Sequence, residues 1–328
     1  MPFAHHSIGK TSRSASTFLL STVWIALALA SAGELSRLAP AVHADLAREV
    51  IAAAFLFGGF YLLARFFVTD LRPLSSVGFV RRPGAGVELA RGLALGWGIA
   101  IALVLPALLT GNLTMSFAFN ASAILSTVEG IVTLSAFAFV VQLILAGLPV
   151  RMLMNAAGST WTIVAVVLLA MMLSFASQGK SVPVTALAAY VFVASFLRTR
   201  AMWVGLGIQF GWTLSLQILF GATSPYTPAV NGFITSFFGG PAWLTGGPFG
   251  PETSVYAVVV LVAAIVMLYR LTKDYAWHYT WQPLEGAGKP MDVAPPAEHL
   301  REEAKKQTAP LVQIGGIQPA PQRVEPAE

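Results

Sequence analysis

Long apolar runs, separated by short basic or glycine- and proline-rich breaks, set the pattern of this chain. The first run, Thr17 to Ala32, is of marginal length and follows a polar stretch containing Lys10 and Arg13. The small residues near its end fit a signal-peptide cleavage region, but seven more runs follow, which favours an uncleaved first helix. They are Val50 to Val68, Gly92 to Leu109, Val128 to Pro149, Trp161 to Ala176, Val182 to Leu197, Ala201 to Phe220 and Thr253 to Leu268. Each is close to the roughly 20 residues that carry a helix across about 30 Å of hydrocarbon. The pattern predicts an all-α fold, a polytopic membrane helix bundle of about eight transmembrane helices. Seven is the fallback, because the fifth and sixth runs are short.

Three glutamines interrupt the apolar text: Gln142, Gln178 and Gln209. A carboxamide in hydrocarbon loses several kcal/mol of hydration unless a partner satisfies it, so these side chains are expected to face the protein interior. Gln209, Thr213 and Gln217 recur every four residues, which places them on one side of a helix. One reading is structural glue between helices, at roughly 0.6–2 kcal/mol per contact. The other is a binding surface formed by Gln142, Gln178, Gln209, Thr213 and Gln217.

The basic residues give an orientation. With both termini cytoplasmic, the inner side holds Lys10, Arg13, Arg65, Arg72, Arg81, Arg82, Arg91, Arg151, Arg198, Arg200, Arg270 and Lys273, against Arg37, Arg48 and Lys180 outside. That positive-inside bias fits an even number of passes. Residues 1–16 then form a cytoplasmic segment and 17–127 an N-terminal group of helices. Residues 128–272 form a membrane core that includes an outer loop, 221–252. Residues 273–328 form a cytoplasmic tail, rich in Pro, Glu, Lys and Gln and read as mostly disordered. The outer loop ends in FFGGPAWLTGGPFGPE, whose glycines, prolines and aromatics predict an ordered segment on or dipping into the outer surface.

Composition narrows the function. The chain is 56% hydrophobic and 11% charged, against about 25% charged in a soluble domain. Its net charge of +5 belongs to membrane flanks and does not imply nucleic acid. Cysteine is absent, and the five histidines lie outside the apolar runs, so neither a thiolate nor an intramembrane imidazole site is available. Glu129 reads as the one acid near a helix body. It stands thirteen residues from Gln142, about 20 Å at the helical rise, and is expected to be an interfacial charge.

From about residue 135 to 270 the chain resembles the CPBP group of membrane proteins, which includes the type II CAAX prenyl endopeptidases and bacteriocin-immunity relatives. Three segments carry the resemblance: Val141-Gln142-Leu143-Ile144-Leu145-Ala146-Gly147, Ser174-Phe175-Ala176-Ser177-Gln178, and LGIQFGWTL with Gln209 and Thr213. They are similar to the family's Glu-Glu-x-x-x-Arg-Gly, Phe-x-x-x-His and IGLHFGWN patterns. FLRTRAMW resembles the Leu-Arg-Thr-Gly-Ser-Leu-Trp connector, and WLTGGPFGPE the loop before the last helix.

The resemblance implies an intramembrane metallo-endopeptidase, but every chemical position is altered. Val141 and Ala146 stand at a glutamate and the arginine; Gln142, Gln178 and Gln209 keep polarity without holding a proton near neutral pH. No metal ligand set is present, so no cofactor is expected. The implied function is a catalytically degenerate member that binds a membrane-embedded or prenylated peptide or protein in a bacterial inner membrane. The glutamines are expected to satisfy one another, Thr213 or trapped water. An active endopeptidase with a non-standard centre and a small transporter-like bundle remain the alternatives.

Overall fold

The computed structural model describes residues 3–68, 73–82, 84–176 and 181–273, with side chains from residue 12 onward except at 173–176. All of these lie within one compact unit, Met1–Met291. Gln178, Arg72, Lys180 and the tail expected from Asp274 onward lie outside the described residues.

The chain is mostly helical. The helices are α1 (Phe3–Ser36), α2 (Ala44–Phe67), α3 (Pro73–Val77), α4 (Ala85–Leu109), α5 (Ala121–Ala146), α6 (Leu148–Ala157), α7 (Ser159–Ala176), α8 (Val182–Thr199), α9 (Trp203–Leu214), α10 (Ala242–Thr245) and α11 (Val255–Leu271). Five helical stretches are long and apolar enough to cross a membrane: Ser12–Ser36, Ala41–Phe67, Ala85–Leu109, Ala121–Ala157 and Val182–Thr199. Ser159–Met172 and α11 are apolar but shorter.

The structure corrects the sequence reading at three places. The fold is not purely α: β1 (Leu113–Phe117) pairs antiparallel with β2 (Ile234–Phe238), Leu113 opposite Phe238 and Phe117 opposite Ile234. The run expected as one helix through Pro149 breaks at Gly147, where an added Cβ would stand 2.2 Å from the Leu143 carbonyl oxygen. Pro149 then opens the amphipathic α6, in the first turn where its missing N–H costs nothing. Finally, α9 ends at Leu214 and passes into a π-turn, Ser215–Leu219, so Gln217 leaves the α-helical register of Gln209 and Thr213.

The segments assigned to opposite faces by charge gather at opposite ends of the bundle. At one end the ribbon joins the α4–α5 connection to residues 221–252, His43 lies 2.7 Å from Glu129, and the Ser181 N–H donates to the Tyr226 hydroxyl at 2.8 Å. Phe117, Phe119, Phe237 and Trp243 are exposed there, as aromatic side chains are at a membrane–water boundary. At the other end the Met202 N–H donates to Gly78 O at 3.1 Å and the Trp203 indole to Val80 O at 2.9 Å. Arg82 ion-pairs with the fully buried Glu88 at 2.5 Å and donates to Thr199 O. Arg200 caps α8 with a left-handed backbone, φ 55°, the one positive φ at a non-glycine among the described residues.

The closest helix pair is α4 with α9, and glycine sets the distance. Gly92 and Gly96 on α4 are four residues apart, as are Gly207 and Gly211 on α9, so each pair lies on one helix face. An added Cβ would stand 2.2 Å from Val204 O at Gly92, 2.1 Å from Ile208 O at Gly96, 2.3 Å from Leu89 O at Gly207 and 2.2 Å from Leu93 O at Gly211. Backbone therefore meets backbone in both directions, the small-residue packing that membrane helices use in place of a hydrophobic drive. Gly98, also on α4, has nothing within 4 Å of its Cβ position. Gly96→Ala and Gly207→Ala should each lower unfolding stability in detergent by about 1–3 kcal/mol. Gly98→Ala should be neutral or raise it by up to about 1 kcal/mol through helix propensity. Thermal unfolding of the three variants checks the contrast.

Candidate functional site

Two residues along an α-helix turn the chain by about 200°, so the face of α9 opposite Gly207 and Gly211 carries Gly205, Gln209 and Thr213. Gly205 is glycine because α5 presses against it. An added Cβ there would stand 2.5 Å from Gln142 Oε1 and 2.8 Å from Ser195 Oγ. Gln142 is fully buried, and neither end of its carboxamide has a hydrogen-bond partner among the described residues. Ser195 donates instead to Phe192 O at 2.7 Å.

Further along this face lies a cavity of about 400 Å³. Its walls are Phe137, Val141, Ile144 and Leu145 of α5, Val166, Leu169 and Ala170 of α7, Val184, Ala188, Ala189 and Phe192 of α8, and Gln209, Trp212 and Thr213 of α9. Thr185, Tyr226, Thr227 and Glu252 complete it. The cavity is polarised. Ile144, Leu145 and Phe192 lie far along α5 and α8 from the ribbon end, whereas Thr185, Tyr226, Thr227 and Glu252 belong to that end. Leu169, 53% exposed, is shared between the cavity and the outer surface of α7.

Among the described residues, Glu252 is the one carboxylate on the cavity wall. It sits in a single 3-10 turn, Pro251–Thr253, immediately before α11, and is 3% exposed. Gly250, at φ 87°, makes the approach to that turn, and a Cβ there would stand 2.0 Å from Thr223 O. The Ser224 hydroxyl donates to the Glu252 carboxylate. The Trp212 indole lies beside the same group, outside ordinary hydrogen-bond geometry. Burial away from water pushes the Glu252 carboxyl up to about 7, while Ser224 and Trp212 pull it the other way. Burial likewise raises the Tyr226 phenol.

The residues singled out from sequence divide. Val141, Gln209 and Thr213 line the cavity, with Gln209 Oε1 unpartnered and Thr213 Oγ1 donating to Gln209 O at 2.7 Å. Gln142 is one helical turn away, against Gly205, and Gln217 donates to Thr227 Oγ1. Ala146 is fully buried in the apolar cluster at the other end, with Leu148 and Met202. The expected network of mutually satisfied glutamines is therefore not formed among the described residues: Gln142 bonds to no other amide, and Thr213 turns its hydroxyl onto its own helix.

The reading of Glu129 as the one acid near a helix body is also corrected. Glu88 is fully buried in the first turn of α4, Glu49 is buried on α2, and Glu252 abuts α11. Glu252 escaped notice because it belongs to a loop in sequence and reaches the cavity only through the fold. The available signal was a lone acid inside a Gly-Pro-aromatic segment bordering a span. As for metal chemistry, the described residues contain no group of three or more His, Cys, Asp or Glu side chains. The cavity offers one carboxylate with neutral oxygens, a poor match to the nitrogen and sulfur ligands zinc prefers.

A carboxyl whose folded value lies above its ordinary 4.5 holds its proton more tightly when folded. Its contribution is fully present below the unfolded value and is lost as pH rises through about 7. From pH 5 to pH 8 the protein should lose on the order of 3 kcal/mol of stability through this group. Glu252→Gln should remove most of that slope in pH-dependent thermal unfolding. Gln142→Met, which replaces an unpartnered amide by a side chain of similar volume, should raise stability by about 1–2 kcal/mol at both pH values.

Compared with known proteins, the chain matches no family model, no curated protein and no solved structure.

Proposed function

We propose that this is a membrane protein of the CAAX-protease-like type whose catalytic centre is lost and whose cavity binds the apolar chain of a lipidated or membrane-embedded peptide. One observation carries the reading: a cavity of about 400 Å³ with deep aliphatic and aromatic walls and a polar end, bordered by Val141, Gln209 and Thr213 where the resembled family carries its glutamate, histidine and asparagine. An apolar pocket with a few placed polar groups is the ordinary form of a small-molecule site. Gln209 and Thr213 offer hydrogen bonds there, and neither takes up nor releases a proton near neutral pH.

A backbone detail supports the resemblance. Aligning Leu197-Arg198-Thr199-Arg200 with the Leu-Arg-Thr-Gly connector puts Arg200 at the glycine, and Arg200 is the residue with φ 55°. A left-handed position is where glycine has no steric penalty, so a glycine in the resembled connector would suit the backbone conformation that Arg200 adopts here. On this reading eight helices cross a bacterial inner membrane, with the arginine-rich end cytoplasmic and the ribbon end outside. The bilayer is the surrounding partner, and nucleic acid has no role.

A second reading is favoured by Glu252. A carboxylate poised near 7 has the proton affinity of a general base, so an endopeptidase with a non-standard centre needs its own arm in the test. The protein in lipid nanodiscs is incubated with a farnesylated peptide carrying a diazirine on the prenyl chain. Saturable labelling of α5, α7, α8 or α9, with the peptide intact, is the expected result. Ala170→Trp and Ala189→Trp, which fill the cavity from α7 and α8, should reduce labelling at least tenfold. Peptide cleavage that is abolished by Glu252→Gln would establish the endopeptidase and overturn the binding-only reading.

A further inference from the structure

Among the described residues, the polar end of the cavity holds the hydroxyls of Thr185, Tyr226 and Thr227 and one carboxylate, Glu252. Gln209, 5% exposed, lines a wall it shares with Glu252, its Oε1 buried and unpartnered among the described residues. Glu252 accepts from Ser224, yet an ionised carboxylate has lone-pair capacity for about four hydrogen bonds. The groups facing it are Ser224 and Tyr226 from the connecting segment and Trp212 from α9. Among the described residues no arginine, lysine or histidine pairs with it. A buried carboxylate without a cation is costly, and that cost falls when a bound molecule supplies the charge.

The walls around this end add a second preference. Trp212, beside Glu252, and Tyr226 put two aromatic rings at this end, and Trp212 stacks on Phe192 deeper in the cavity with ring centroids 6.4 Å apart. Aromatic faces attract ammonium and guanidinium groups, more strongly where water is excluded. Beyond them the α5, α7 and α8 walls are aliphatic, suited to a hydrocarbon chain.

We propose that the cavity selects cationic amphiphiles: Glu252 holds an ammonium or guanidinium head at the ribbon end, and the alkyl chain lies between α5, α7 and α8. This rests on the cavity being the binding site described above and adds the chemistry of the head group. A lipidated peptide would satisfy it with a basic side chain or free amine near the modified residue. Raising of the Glu252 carboxyl to about 7 makes the preference pH-dependent. A bound alkylamine stays protonated across this range, while the carboxylate it pairs with disappears at acid pH.

The test is competition in phosphatidylcholine nanodiscs, using a neutral diazirine-bearing dodecanol as the labelling probe. Unlabelled n-dodecylamine and n-dodecanol compete. The expected result is that the amine displaces the probe at least tenfold better than the alcohol at pH 8, with the advantage shrinking at pH 5. In Glu252→Gln the ratio of amine to alcohol displacement should fall to about one at both pH values. Equal competition by amine and alcohol, or an advantage unchanged in Glu252→Gln, overturns the head-group proposal and leaves the cavity reading standing. Absence of any saturable labelling by the neutral probe overturns both.

Discussion

The backbone contact between α4 and α9 is the constraint on which the rest of the structure depends. With glycine at positions 92, 96, 207 and 211, the two helices approach until carbonyl oxygens occupy the volume that side chains would need. That contact commits one side of α9 to α4. The opposite side is left to face α5 and the cavity, and on it Gly205, Gln209 and Thr213 follow at helical spacing. A helix clamped in this way has little freedom to rotate, so the polar atoms it presents are fixed by glycines on its other face. Their positions come from packing and do not depend on mutual hydrogen bonds.

This explains why amides persist in an apolar setting without pairing with one another. Gln142 is held against Gly205 by shape, with its carboxamide unpartnered. Gln209 lines the cavity with its Oε1 buried and unpartnered among the described residues. The titratable group comes from elsewhere. Glu252 is carried on a turn outside the helices and reaches the cavity beside Trp212. Helical positions supply the container and its neutral hydrogen-bonding groups, while the loop supplies the charge.

Much of this was legible in the sequence. Apolar runs located the helical segments, five of them long and apolar enough to cross a membrane, since hydrocarbon requires continuous intrahelical bonding of the backbone. The α4–α5 connection pairs with residues 221–252 through β1 and β2, and Ser181 meets Tyr226, so connections expected on one face come together. Glycine spacing on α4 and α9 was visible too, but reading it requires knowing which two of many helices meet. The break at Gly147 and the π-turn at Ser215–Leu219 answer to local crowding, which periodicity does not report. Glu252 was the largest omission. A charged residue in a polar-looking loop carries no sign of burial until the fold brings aromatic walls around it.

The ribbon has a consequence for how such a protein diversifies. Strands β1 and β2 are joined through main-chain groups, and half of their residues are exposed, with Ser236 and Phe238 buried. Backbone pairing tolerates wide variation in side-chain identity, so the segment between β2 and α11 is anchored without a demanding sequence. On the proposed reading, changes in that short segment would alter the contact to a ligand's head group while the helices around the cavity stay constant. Ligand choice and helix packing would then be separately evolvable traits within a single chain.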